Sequence, residues 1–157
     1  GGRSVMIGGG RDHLVHQNLI LGGEIGVWID ARGVGWAKDH IRRGGGWSMY
    51  RKLADVGHDR PPYSERYPEL ARILDEHPHE PRGNRVVQNV FVGVRSWLQL
   101  QGAKKEWIVL ERNVVAEEPA EDPRAALRSV GQARLETIGF EPIPFDRIGL
   151  RREVTAP

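Results

Sequence analysis

The run Trp28-Ile29-Asp30-Ala31-Arg32-Gly33, with a further indole at Trp36, gathers the residue types best suited to a hydroxyl-rich ligand. An aromatic face matches the apolar C–H face of a sugar ring. A guanidinium holds hydroxyls, or grips a uronate carboxylate through paired hydrogen bonds. A carboxylate moves protons or attacks. On this reading Asp30 is the catalytic residue, a general acid or nucleophile, and Trp28, Arg32, Trp36, Tyr63, Arg66 and Tyr67 bind substrate. Trp47 adds to the same stacking wall. Glycoside hydrolysis needs a second carboxylate about 5–10 Å from the first. Asp12, Glu24, Asp39 and Glu65 are the available partners, and spacing does not choose among them. A plainer reading competes throughout. Asp at a strand end is ordinary turn chemistry and pairs readily with Arg32, and clustered aromatics mostly pack against one another.

Other chemistry is excluded more sharply. Cysteine is absent, which removes disulfides, thiolate metal sites and Cys nucleophiles together. His13 and His16 have metal-like spacing, but on a strand they point to opposite faces and share no ion. His77 and His79 flank Pro78 in a loop, where a solvated imidazole is the default. The runs Gly8-Gly9-Gly10 and Gly44-Gly45-Gly46 have no P-loop lysine and no dinucleotide-binding context. Neither a metal nor a cofactor is expected. The net charge is +2, and the basic residues, four lysines and the rest arginine, are scattered among Asp and Glu. A nucleic-acid groove would gather them on one face, so no nucleic-acid partner is expected. No apolar run approaches the roughly 20 residues that span a bilayer, and no membrane association is expected.

The elements that must position these residues follow from an internal repeat. His16-Gln17-Asn18-Leu19-Ile20-Leu21-Gly22 matches Val87-Gln88-Asn89-Val90-Phe91-Val92-Gly93, and Glu111-Arg112-Asn113-Val114-Val115-Ala116 follows as a third copy. Asn89 and Asn113 lie 24 residues apart, the length of one coil of a β-solenoid, while Asn18 and Asn89 lie 71 apart. The surplus of 47 falls on residues 34–80, where short strands give way to aromatics and prolines. There Leu70, Ile73 and Leu74 fall at helical spacing within a predicted helix over residues 64–76. Period-two alternation then turns Val27, Ile29, Leu98 and Leu100 inward and Trp28, Asp30, Gln99 and Gln101 outward. Asn18, Asn89 and Asn113 take a structural role at a corner, where Asn tolerates left-handed backbone and stacked amides bond from coil to coil. Asp122-Pro123 caps a predicted helix to Ile138, stopped by Gly139, and the proline-rich tail crosses the coils as an extended cap. The fold class expected is all-β: one domain over 1–157, a right-handed parallel β-helix of three to four coils. A partly helical insertion at 34–80 and a C-terminal helix with extended cap at 118–157 complete it.

The segments Gly10-Arg11-Asp12-His13-Leu14-Val15, Val27-Trp28-Ile29-Asp30-Ala31-Arg32-Gly33, Pro61-Pro62-Tyr63-Ser64-Glu65-Arg66-Tyr67-Pro68 and Gly83-Asn84-Arg85-Val86-Val87-Gln88-Asn89 resemble those of bacterial right-handed parallel β-helix proteins. The closing Gly139-Phe140-Glu141-Pro142-Ile143-Pro144-Phe145-Asp146-Arg147-Ile148-Gly149-Leu150 is similar to their C-terminal end. Many such proteins are secreted glycoside hydrolases or polysaccharide lyases, and many others have no known activity. The resemblance implies a carbohydrate-acting, glycoside hydrolase-like protein that binds a polysaccharide or oligosaccharide outside the cytoplasm, extracellular or periplasmic. It also implies further coils before residue 1, since the chain opens Gly1-Gly2-Arg3 and is short for the group. An exposed first coil predicts self-association, or packing by a missing N-terminal part of the same precursor. The other class of function is a non-catalytic structural, adhesin or oligomerisation module. A cleft holding two carboxylates at catalytic separation separates the two.

Overall fold

A computed structural model describes residues 2–149. The strands are β1 (Arg3–Ile7), β2 (Leu14–His16), β3 (Leu19–Leu21), β4 (Ile25–Asp30), β5 (Asn84–Val87), β6 (Val90–Val92), β7 (Ser96–Gln101), β8 (Ile108–Glu111) and β9 (Val114–Ala116). The helices are α1 (Lys38–Ile41), α2 (Met49–Val56), α3 (Tyr63–Arg66), α4 (Pro68–Ala71), α5 (Pro123–Val130) and α6 (Gln132–Ile138).

Each of β1 to β6 pairs in parallel with the strand three places later in the chain, giving three separate sheets ordered β1-β4-β7, β2-β5-β8 and β3-β6-β9. This overturns the expected all-β, β-helix class. The sheets are short, three strands each, and none closes or winds on as a continuous solenoid sheet. With the helices counted, the chain is a small α/β fold. The physical reason lies at the corners. Gln17, Gln88 and Arg112 have φ of 58°, 55° and 51°, and Gly22 and Gly93 have φ of 59° and 63°. Left-handed residues there end each ladder within a few residues of its start. Meanwhile the stretches after β4 and β9 satisfy their backbone as helices.

The register follows the repeat. Ile7, Ile29 and Leu100 align across the first sheet, Val15, Val86 and Leu110 across the second, and Ile20, Phe91 and Val115 across the third. All nine share one apolar cluster between the sheets. Val27, Ile29, Val86 and Phe91 have no exposure at all, and burying each such side chain contributes roughly 1.5–3 kcal/mol. The outer face of the third sheet carries Val90, Val92 and Val114, and packs on Ala126, Val130, Leu135 and Ile138 of α5 and α6.

Two helix expectations need correction. The predicted helix over residues 64–76 is two single-turn pieces, because Pro68 has no N–H to donate and forces Tyr67 before it to ψ 74°. The predicted helix to Ile138 breaks at Gly131, whose φ of 85° and ψ of 140° leave the helical region. Asp122 does cap α5, its side chain accepting from the Ala125 N–H at 2.7 Å. That bond holds the Asp122 carboxyl below its ordinary pKa.

The repeated asparagines form a hydrogen-bonded column. Asn89 Oδ1 accepts from the Asn18 backbone N–H (3.1 Å) and from Asn18 Nδ2 (2.9 Å), and Asn113 Oδ1 accepts from the same two groups of Asn89 at 3.0 Å. Asn89 Nδ2 also donates to the carbonyls of Val15 (2.9 Å) and Val87 (3.0 Å). The left-handed residue is not the asparagine itself but the one before it. At two corners that residue is a glutamine turned toward the end of α6. Gln88 Nε2 donates to Ile138 O (2.8 Å), Gln17 Nε2 to Gly139 O (2.6 Å), and Gln17 Oε1 accepts from the Glu141 N–H (2.8 Å).

Candidate functional site

β4 is the middle strand of its sheet, so Trp28 faces Gln99 and Asp30 faces Gln101 of β7. The chain then turns sharply, with the amides of Val34 and Gly35 donating to Ala31 O and that of Ala37 to Arg32 O. This turn lays Arg32 back along the end of β1. Gly9 packs against it with φ of 85°, where a Cβ would stand 2.8 Å from Arg32 Cγ.

Alternation assigned Asp30 to an outward face, but its carboxylate is covered. Asp30 is 6% exposed. Its Oδ2 lies 3.3 Å from Arg32 Nε and accepts a 3.3 Å hydrogen bond from the Trp36 indole. Arg32 Nε is itself buried and makes no hydrogen bond, so the ion pair is held by charge rather than by aligned donation. The Arg32 guanidinium also lies 5.5 Å from the Trp36 ring centre. Trp36 is 61% exposed and meets Trp47, 44% exposed, edge to face at 5.9 Å and 80°. His40 stacks on the other side of Trp47 at 5.2 Å. Asp30, Arg32, Trp36, His40 and Trp47 therefore form one contiguous corner.

The remaining sequence candidates lie elsewhere. Trp28 is half-buried beneath the Arg3 guanidinium, 3.8 Å above its ring. Tyr63 and Arg66, on α3, are exposed and make no ring contact, hydrogen bond or ion pair with the corner among the described residues. Tyr67 lines a separate groove of about 230 Å³ with Arg11, Leu70 and Ile73. The insertion thus places Trp36 and Trp47 beside β4 but does not roof it with Tyr63 and Tyr67.

No second carboxylate contacts Asp30 among the described residues. Asp12 pairs with Arg11, Glu24 with Arg95 and Asp39 with Arg42, while Glu65 is exposed on α3. An acid, base or nucleophile must reach the reacting atom, and Asp30 is closed off by its own two partners. The corner presents two exposed indoles beside a fixed pair of charges.

Sequence reasoning passed over Asn84. It is wholly buried, accepts from the His13 N–H at 3.0 Å, and donates to the carbonyls of Gly10 and Pro81 at 2.8 Å each. It ties the turn before β2 to the start of β5. The signal was an Asn between Gly83 and a β-branched run, without a repeat partner to draw attention to it.

The chain has no significant match among protein-family models, curated proteins or solved structures.

Proposed function

We infer that this chain binds a saccharide, without cleaving it, at the corner built by Trp36, Trp47 and Arg32. The observation that carries this reading is the pair of indoles. Large aromatics left this exposed, and set at right angles, offer one face to a ring above and another beside it. Arg32 lies next to them, positioned by Asp30, with a guanidinium that suits ring hydroxyls or a uronate. Location outside the cytoplasm belongs to this reading. Calorimetry with neutral and uronic-acid oligosaccharides tests it. Trp36→Ala should weaken binding about tenfold, or ~1.4 kcal/mol. A hydrolase would instead lose turnover in Asp30→Asn while keeping its affinity. Affinity untouched by both Trp36→Ala and Trp47→Ala removes the saccharide from this surface.

A second reading, self-association, is favoured by the far edge of the sheets. Around β7, β8 and β9 a groove of about 500 Å³ exposes parts of Leu98, Leu100 and Leu110. Among the described residues the Asn113 backbone N–H has no partner, and Asn18 Oδ1 at the opposite edge accepts no bond. One copy's β1, β2 and β3 edge thus complements another's β7, β8 and β9 edge in donor and acceptor as well as in direction. Light scattering should give a species heavier than one chain, lost in Leu110→Glu. A monomer at high concentration refutes it.

A further inference from the structure

A different feature of the molecule matches a ligand of another kind. Between α5, α6 and the extended segment after Gly139 lies a groove of about 500 Å³, within the roughly 300–1,000 Å³ of small-molecule sites. Its floor is apolar. Leu135 and Phe140 are buried at its base, while Leu127, Ile143 and Phe145 are half-buried along its walls. The break at Gly131 creates it, because two short helices meeting at an angle leave a hollow that one straight helix would not. The segment from Phe140 to Phe145 then lies alongside and forms the second wall.

The rim is not neutral. Arg124 and Arg128 stand one helical turn apart on α5, and both line the groove. Like charges at this spacing repel and slightly destabilise a helix. Among the described residues neither forms a salt bridge, although the Asp122 carboxylate at the start of α5 acts on both through charge. Arg124 instead lies 4.8 Å from the Phe145 ring, which fixes it over the apolar wall. Glu141 is the one carboxylate at the groove, and it pairs with neither arginine. An apolar trough ending at two guanidiniums that form no direct ion pair among the described residues is complementary to a molecule with an apolar tail and an anionic head.

We propose that the groove between α5, α6 and the Phe140–Phe145 segment binds a medium-chain aliphatic carboxylate, its chain on Leu127, Leu135 and Phe140 and its head group on Arg124 and Arg128. The head group is planar and carries two oxygens, which suits fork-like donors better than a single ammonium would. This site is independent of the corner at Trp36 and Trp47. It stands or falls separately from saccharide binding.

The test is calorimetry on the full chain with decanoate, kept below its micelle concentration, with binding mapped by amide chemical shifts. Decanoate should bind with shifts confined to α5, α6 and the residues after Gly139. Each methylene removed from the chain should weaken binding about fourfold. Decyltrimethylammonium, with the same tail and the opposite charge, should bind at least about tenfold more weakly. The double variant Arg124→Gln, Arg128→Gln should lose about tenfold for decanoate, yet bind 1-decanol as the parent does. Both arginines are exposed, so the variant should melt as the parent does. Equal binding of the cationic and anionic probes, decanoate affinity unchanged in the double variant, or no shifts on α5 and α6 overturns the proposal. Trp36→Ala should leave decanoate binding as it is.

Discussion

Replacing Asn89 by alanine is expected to destabilise the fold by about 3–5 kcal/mol, more than most single substitutions. Asn89 is wholly buried. Its loss strands the Asn18 N–H on one side and the carbonyls of Val15 and Val87 on the other, and takes one of two donors from Asn113 Oδ1. Each buried polar group left without a partner costs roughly 1–3 kcal/mol. Asn113 Oδ1 keeps its bond from the Asn89 backbone N–H, and Asn18 Nδ2 keeps His16 O, which holds the total below the simple sum. Against a domain stability of roughly 5–15 kcal/mol, the loss is readily measured by urea unfolding followed by tryptophan fluorescence. Asn18→Ala provides the control. It removes only side-chain donation at the end of the column, and should cost about 1 kcal/mol. Asn89→Asp keeps the shape but turns donors into acceptors opposite two carbonyls, so at neutral pH it should cost at least as much as alanine. A loss under about 1 kcal/mol for Asn89→Ala, or equal losses at Asn18 and Asn89, refutes the reasoning.

Gly26→Ala should cost about 1–3 kcal/mol, because a Cβ there would stand 2.7 Å from both the Phe91 ring and Trp97 O; chemical denaturation measures it, and a neutral result means the strand shifts freely. Arg32→Met should destabilise by about 2–3 kcal/mol by stranding the buried Asp30 carboxylate, and adding Asp30→Asn should recover most of that loss in a thermal melt. A melt of the single variant no lower than the parent's refutes the buried pair. The Asp122 carboxyl is lowered in the folded chain, chiefly by the Ala125 N–H. Its contribution is therefore present above the ordinary value of 3.8, and disappears as pH falls through the lower folded one. Unfolding of Asp122→Asn measured from about pH 5 to about pH 2 should be less pH-dependent than the parent's; identical pH profiles refute it.

Much of the strand arrangement was legible because the repeated asparagines carry register. Knowing that Asn18, Asn89 and Asn113 align fixes Leu19 opposite Val90 and Val90 opposite Val114. The class was less legible. A repeat length shows that strands stack but not how soon each ladder ends, and the left-handed corners at Gln17, Gln88 and Arg112 decide that. Those residues gave no signal, since glutamine and arginine are not turn formers. α1 and α2 were missed for the same kind of reason: Met49–Val56 has its apolar residues on a face with none of them buried. The breaks at Pro68 and Gly131 stood in plain sight and were outweighed by apolar spacing. At the site, period-two alternation placed Asp30 on the outer side of β4, as the register has it, yet side polarity does not predict burial. The turn at Ala31 folds Arg32 and Trp36 over the carboxylate, and strand alternation says nothing of a turn that follows the strand. The grouping of Trp36 with Trp47 followed from composition, while the separation of Tyr63 and Tyr67 from them depends on where the helices of the insertion run.

The two corner glutamines bear on how the chain comes apart. Short helices of seven or eight residues ordinarily fray, opening and closing without disturbing the rest. Here Gln17 and Gln88 reach from successive turns of the sheets to the last carbonyls of α6 and to the amide of Glu141. Releasing α6 therefore strips partners from two corners whose backbone is held in a costly conformation. Opening one end loosens the other, so α5, α6 and the three sheets form a single cooperative unit. Their amides are expected to exchange with solvent together, at the pace of global unfolding, rather than from α5 and α6 inward.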